Sequence, residues 1–369
     1  MMINVNSGEN TPDSTPSEPT APSTPPPTPG ADADSPWTMP WKAWTRVLKR
    51  VWVMIGFHEL GLLSAGLAFY TFLALTPLIA ATVMVYGLVA DVAMVRKQMA
   101  SIIDVVPPDV ARLLEEQLMR IISTNSGVTG LALVIALFFA VYGGMRAAGG
   151  MMSALNIINE ERETRGIVAS TLRTGELTLA AILLALTGVL SGGVFAWLQT
   201  QTGVYLGSAT ELLFKCLTWT FAVALGSAGF ALIMRYGPDR RPAKWRWLAP
   251  GALLATLLWL AVSFGFSLYV AYISDYNATY GSLSAIVVFL MWLFLSAYGV
   301  LLGALLNAEI ERQTFCDTTV GPTRPPGERG AVLADLIDDG VPSADQLEKR
   351  KRRRADAERR RADGTAEPV

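Results

Sequence analysis

Six stretches of this chain, each longer than twenty residues and nearly free of charge, leave it few ways to fold: Leu62–Val89, Leu131–Leu155, Leu177–Leu198, Leu212–Met234, Leu248–Ile273 and Leu283–Leu306. A helix rises about 1.5 Å per residue, so about 20 residues cross a hydrocarbon layer about 30 Å thick. Transmembrane strands would need about 10 residues of alternating polarity, a pattern these stretches do not follow. Inside lipid the backbone has no water to bond with, and a helix satisfies its polar groups internally. The chain is therefore expected to be all-α, a polytopic membrane protein with six transmembrane helices. Composition agrees: 17% of the 369 residues are charged, against about 25% in a soluble globular domain.

The flanks differ in character. Residues 1–36 are rich in Pro, Ser and Thr and hold too little apolar surface to offset their ordering entropy, so a disordered tail is expected. Residues 37–61 interleave Trp37, Trp41, Trp44 and Trp52 with Lys42, Arg46, Lys49 and Arg50, the composition of an interfacial amphipathic helix with its cations on headgroups. The transmembrane domain then runs over 62–312, and 313–369 is expected to be a polar tail. Nine of the 30 Lys and Arg fall between Lys349 and Arg361. That run is either solvated or drawn to anionic headgroups, at about 1 kcal/mol for each cation near the surface. It lacks the aromatics that single-stranded nucleic-acid binding usually adds, so no specific nucleic-acid partner is expected.

Cations in the short connections give the orientation. None lies in Gln199–Glu211 or Ser274–Ser282, whereas Asn159–Gly175 holds three and Arg235–Trp247 five. With an even number of spans, both termini are expected in the cytoplasm. The longer connection Asp91–Gly130 carries four cations and five acids, and Pro107-Pro108 divides it into two amphipathic patterns. It is placed outside, as a helical extracytoplasmic loop.

Polar residues inside the spans each need a reason, since their burial in lipid is costly. Pro77 leaves the Leu73 carbonyl without its helical partner, and a kink is expected. Ser64 and Thr71 share nearly one face. Their hydroxyls either bond to backbone in a packed interface, or join Tyr70 and Thr76 in a polar pathway. Arg146 sits among Gly143, Gly144, Gly149 and Gly150, where it either snorkels to lipid phosphates or faces an internal cavity. Gly188 and Gly192 form one GxxxG pair, Gly299 and Gly303 another, and Asn307 continues the second row by four residues. Glu309, Glu311 and Arg312 lie at the expected water line, where the end of a span accounts for them.

Soluble-enzyme motifs are missing from the chain: it has no P-loop, Rossmann fingerprint, zinc-ligand spacing or GxSxG. With one histidine, His58, and two separated cysteines, Cys216 and Cys316, neither a catalytic triad, a metal site nor a disulfide framework is expected. No cofactor and no enzymatic activity are anticipated.

Three segments carry a resemblance to a known family. LSAGLAFYTFLALTPLIA (Leu63–Ala80) is similar to an opening A-x-x-A-(F/Y)-Y-x-x-x-S-x-x-P, with Ala74 at the serine place. RYGPDRRPAKWRWLAPGALLATLLW matches a Y-R-x-x-P followed by G-A, and YGSLSAIVVFLMWLFLSAYGVLLGALLNAE matches a closing segment ending in L-L-G-A-E-x-N-A-E. Over roughly Arg46–Arg312 the chain resembles the YihY/BrkB inner-membrane proteins, formerly mislabelled ribonuclease BN. The resemblance marks Tyr70, Pro77, Asn156, Tyr236, Pro238, Gly251, Tyr280, Gly281, Trp292, Gly303, Asn307 and Glu309 as family positions. It departs at Leu305, where relatives often carry glutamate, and at Phe294, where tyrosine is frequent. Coupling through that acid is therefore not carried over.

The resemblance implies a bacterial inner-membrane protein. Polarity within the spans suggests transport or export of an amphipathic, lipid-like or anionic substrate, with membrane lipids as partners. Its candidate lining is Ser64, Tyr70, Thr71, Thr76, Pro77, Arg146, Asn156, Tyr280 and Asn307. The alternative is a non-catalytic scaffold that recruits partners through its tails. RNA cleavage would need positioned acid, base or metal groups that the sequence does not supply.

Overall fold

In a computed structural model of the chain, residues 28–89, 126–202, 207–273, 282–336, 340–343, 345–349 and 352 are described. A single 3-10 turn at Pro36–Thr38 precedes helix α1 (Trp41–Phe57). The bundle follows: α2 (Leu60–Val89), α3 (Ser126–Ile158), α4 (Ile167–Thr202), α5 (Gly207–Tyr236), α6 (Trp245–Ile273) and α7 (Ser282–Glu311), with a short α8 (Val332–Asp335) after it. Among the described residues, six helices are long and apolar enough to cross a membrane, the stretches being Leu60–Ala80, Gly130–Ile158, Ile167–Val194, Leu212–Tyr236, Trp245–Tyr269 and Ile286–Glu311. The protein is an all-α polytopic membrane protein.

Small residues set how closely the helices approach. A Cβ on Gly251 would lie 2.0 Å from the Gly303 carbonyl oxygen, and one on Gly303 would lie 2.3 Å from the Gly251 oxygen, so α6 and α7 touch backbone to backbone. A Cβ on Gly143 would lie 2.7 Å from the Ala74 Cα, which makes the same kind of contact between α3 and α2. The Gly188–Gly192 pair does not behave this way: space is open beside Gly192, and Gly188 reaches only a leucine side chain at 4.0 Å. Spacing alone cannot tell a crossing face from one turned to lipid. Pro77 lies inside α2, which runs on to Val89.

The largest departure from the sequence expectation lies at the end of the bundle where α3 gives way to α4 and α5 to α6. Its charges are buried. Glu309, Glu311 and Arg312 are 1%, 4% and 1% exposed, and Arg50 is 0% exposed. Thus Arg50 does not face headgroups, and the acids do not mark a water line. Arg50 Nε donates to Glu309 Oε2 at 2.7 Å and a terminal nitrogen donates to the Glu309 carbonyl at 2.8 Å, joining residues 259 apart in sequence. The expectation failed because the partners that remove these groups from water are distant along the chain.

Both flanks are also partly folded onto this end. Phe315 N–H donates to the Ala31 carbonyl at 2.8 Å, and the Thr314 hydroxyl donates to the Ala31 and Ala33 carbonyls. The boundary of the amino-terminal tail therefore moves from residue 36 back to at least residue 28, and residues 1–27 lie outside the described residues. The segment after α7 pairs with the α5–α6 connection: Lys244 N–H with the Thr318 carbonyl, Val320 N–H with Pro242, Arg241 N–H with Gly330. Asp317 closes that loop by accepting from Thr319 and from the Arg324 backbone. Burial of Asp317 is outweighed by these donors, which hold its carboxyl below the usual range. The segment at 91–125 and most of the basic run beyond Lys349 lie outside the described residues.

Leu305, at the place of the missing glutamate, is 0% exposed and belongs to the apolar core beside Leu301, Leu155 and Ile158.

Candidate functional site

Two places gather polar side chains, and they differ in kind. The first is a polar cap over the buried charges. Arg240 forks onto Glu311, its two terminal nitrogens donating to the two carboxylate oxygens at 2.7 and 2.6 Å, and it also reaches Asn159 Oδ1 at 3.0 Å. The Thr318 hydroxyl donates to the same carboxylate. Burial works against the charge of Arg240, yet Glu311 beside it raises its pKa above the ordinary value. Asn156 bridges the two connections, donating to Glu163 at 3.0 Å and accepting from the Asp239 N–H at 2.7 Å. Glu163 and Arg165 pair at 2.5 Å, and Thr164 donates twice to Asp239 at 2.7 Å. Beneath this layer, Asn307 Oδ1 accepts from the Gly251 N–H at 2.8 Å while its amide donates to the Leu248 carbonyl at 3.0 Å. The row Gly299–Gly303–Asn307 is thus the α6-facing edge of α7, closed by an amide clamp. A cavity of about 20 Å³ lies between Asn307, Arg240, Asn159 and Glu311, room for one water.

Two carboxylates of the cap titrate in the same direction. The Arg165 guanidinium holds the Glu163 carboxyl below its usual range. Asp239 is also lowered, because donation from Thr164 and the Arg165 charge outweigh its burial. Both carboxylates bind fewer protons folded than unfolded, so their contribution is complete above the ordinary carboxylate range and is lost as pH falls through the lowered values. Melting temperature in detergent should fall on acidification, and Glu163→Gln and Asp239→Asn should each flatten that dependence. A curve unchanged by both substitutions would show that the cap does not carry acid sensitivity.

The second place is a groove of about 770 Å³ between α2, α3 and α4. The α2 wall is apolar, from Leu62, Leu63 and Leu67 to Tyr70, and the α4 wall carries the hydroxyls of Ser170, Thr171 and Thr174. Between them α3 contributes Tyr142, Arg146, Gly149, Gly150 and Ser153 to the lining, with Tyr142, Arg146 and Ser153 exposed. The two glycines make room: a Cβ on Gly150 would lie 3.4 Å from the Tyr70 ring. Arg146 Nε donates to the Tyr142 hydroxyl at 3.0 Å, with its guanidinium carbon 5.3 Å from that ring's centre. Among the described residues no carboxylate pairs with it.

The depth of Arg146 follows from its neighbours. Gly149 faces Thr174, next to Arg173, whose guanidinium lies 5.4 Å from the Tyr236 ring at the end of α5. Arg146 is three residues further from the cap than Gly149, about one helical turn deeper than that charged rim.

The remaining candidates are spread out. Tyr70 and Arg146 share the groove. Thr71 points its hydroxyl back to the Leu67 carbonyl at 2.8 Å, and Ser64 does the same to Leu60 at 2.7 Å, so neither oxygen is idle. Pro77 is half-buried in α2. Asn156, Asn307, Tyr236, Pro238, Gly251, Gly303 and Glu309 belong to the cap and the α6–α7 crossing. Trp292 donates to Ser263 at 3.2 Å and stacks on Phe289. The Thr76 side chain, Tyr280 and Gly281 lie outside the described residues. Sequence reading missed Tyr142 as the partner of Arg146, although the i, i+4 spacing offered it. It also missed Asn159, Glu163 and Arg240, for which no local signal existed. Among the described residues no group of three or more His, Cys, Asp and Glu is placed to hold a metal ion.

Asn156, Gly251, Gly303, Asn307 and Glu309 meet in the cap and the α6–α7 crossing, and the family model for Virulence factor BrkB matches residues 51–327. The chain belongs to the Virulence factor BrkB family. Similar BrkB-type relatives include the ribonuclease-like protein YfkH of Bacillus subtilis, 26% identical over 72% of this chain and 95% of the relative. UPF0761 membrane proteins of Rhodospirillum centenum and Stenotrophomonas maltophilia are 31% and 28% identical over 74% and 67% of this chain. The chain spans 58% and 56% of the length of those two. No solved structure matches it.

Proposed function

We propose that this BrkB-family protein binds an anionic amphiphile in the groove between α2, α3 and α4 and moves it across or out of the membrane. The observation that carries this reading is Arg146: an exposed guanidinium without a carboxylate partner among the described residues, lining a groove of about 770 Å³. A permanent cation at that depth is costly unless an anion or water reaches it. Arg is suited to a phosphate or carboxylate because its planar fork donates two parallel hydrogen bonds. The hydroxyls of Ser170 and Thr174, on the capped side of Arg146, would face the headgroup. The orientation that fits is the capped end in the cytoplasm of a bacterial inner membrane, with the basic run beyond Lys349 against anionic headgroups.

In proteoliposomes, fluorescent anionic phospholipids should change leaflet faster with the protein than in empty vesicles. Arg146→Ala should lower that rate about tenfold, the equivalent of a charge-assisted hydrogen bond of about 1.5 kcal/mol, and Arg146→Lys should recover part of it. Movement indifferent to both substitutions, or none across a panel of anionic lipids and solutes, would sink the proposal. A cellular phenotype lost on deletion of both tails, with the bundle intact, would favour a scaffold. The ribonuclease-like label belongs to YfkH, and we read this chain as non-catalytic; RNA cleavage by pure protein that a single substitution in the cap abolishes would overturn that.

A further inference from the structure

Burial splits α1 cleanly into two faces. Ala43, Val47, Arg50, Met54 and Phe57 are buried against the bundle. The opposite edge carries Trp41 at 76%, Leu48 at 50% and Trp52 at 79% exposed. At 100° per residue these three fall within a narrow stripe, since they are spaced seven and four apart. Lys42 and Lys49 are exposed along one side of that stripe. Trp37, in the turn before α1, is a further indole 65% exposed.

An edge of this kind is poorly suited to water. Indole rings favour the membrane–water boundary, where the ring meets acyl carbon and the N–H meets water or headgroup. The position of α1 matches that boundary. Its Arg50 is bonded to Glu309, near the end of the span Ile286–Glu311, and Leu60, which opens the span Leu60–Ala80, follows within three residues of its end. We propose that α1 is a rigid membrane-docking edge, with Trp41, Leu48 and Trp52 entering the anionic headgroup layer of the bilayer that the bundle spans. Lys42 and Lys49 meet lipid phosphates beside them. Lipid is favoured over a second copy of the chain because a self-complementary contact through this edge brings like-charged lysines together. The ion pair to α7 fixes which edge faces outward, so docking sets the height of the whole cap.

The test uses full-length protein with Cys216→Ser and Cys316→Ser, carrying a nitroxide on one introduced cysteine. Leu48→Cys and Trp52→Cys are read against Lys42→Cys in nanodiscs of phosphatidylcholine containing phosphatidylglycerol. Positions 48 and 52 should collide with oxygen several-fold more than with a water-soluble nickel chelate, and position 42 should show the reverse. Lys42→Glu with Lys49→Glu should shift position 48 toward water in the anionic nanodiscs and leave it unchanged in phosphatidylcholine alone. Equal chelate access at all three positions would overturn the proposal, as would dipolar broadening between labels on two copies. No shift from the charge reversals would overturn its anionic component. These readings do not depend on substrate movement, so they stand apart from the fate of the groove.

Discussion

Truncating Glu309 to alanine should destabilise the folded bundle by about 3–5 kcal/mol, the range for stranding one member of a buried ion pair. The Arg50 side chain is 0% exposed and that of Glu309 2% exposed, so neither can turn to water when its partner is lost. The guanidinium would lose the carboxylate 2.7 Å from its Nε and keep its bond to the Glu309 carbonyl, 2.8 Å away. Arg50→Ala should cost a similar amount. The paired change Arg50→Met with Glu309→Leu should recover most of the loss, because it removes both desolvation penalties together. Thermal unfolding in detergent reads all four forms. Single variants as stable as the parent would show that the pair stays hydrated and contributes little.

A larger side chain at the α6–α7 crossing should also be damaging. An alanine methyl at Gly251 would sit 2.0 Å from the Gly303 oxygen and 2.5 Å from the Asn307 amide. No rotamer relieves a clash between a Cβ and a backbone carbonyl, so the helices must part, and overpacking of this kind costs about 1–3 kcal/mol or more. Parting them also breaks the two Asn307 bonds, which bridge α7 to the Gly251 N–H and the Leu248 carbonyl. Interhelical hydrogen bonds in membranes average about 0.6 kcal/mol, so Asn307→Leu should be the milder change. Gly251→Ala is expected to lower the melting temperature more than Asn307→Leu, and Gly192→Ala, where space is open, to leave it nearly unchanged. The reverse ranking would mean that the amide, not the close approach, holds this crossing.

These two expectations also mark how far the sequence could be read. Long apolar runs located all six spans, because hydrocarbon thickness and backbone hydrogen bonding act on any local window. The row Gly299–Gly303–Asn307 was visible as a face, since its members are spaced by one helical turn. Gly188–Gly192 has the same spacing without a close crossing, so small residues permit an approach without requiring one. The cap was not legible. Arg50 looks like an interfacial cation and Glu311 like the end of a span until residues far along the chain are folded over them. Arg240 and Glu311 are 71 residues apart, and Arg50 and Glu309 are 259 apart. The groove was half legible: a cation among glycines announced an unusual place, but the hydroxyls of α4 and the apolar wall of α2 came together only in three dimensions.

The cap also dictates when the protein can be finished during synthesis. Ala31 and Ala33 bond to Thr314, more than 280 residues later, and Arg50 waits for Glu309. Chains emerge at about 5–20 residues per second, so the first folded segment stays open for tens of seconds while the spans enter the membrane one by one. Throughout that interval a cation destined for burial remains solvated, and α1 has no acid to dock on. Closure of the amino-terminal segment over the end of α7 is thus a late event that reports arrival of the last span. A chain truncated before Thr314 would carry every span but could not form that closure.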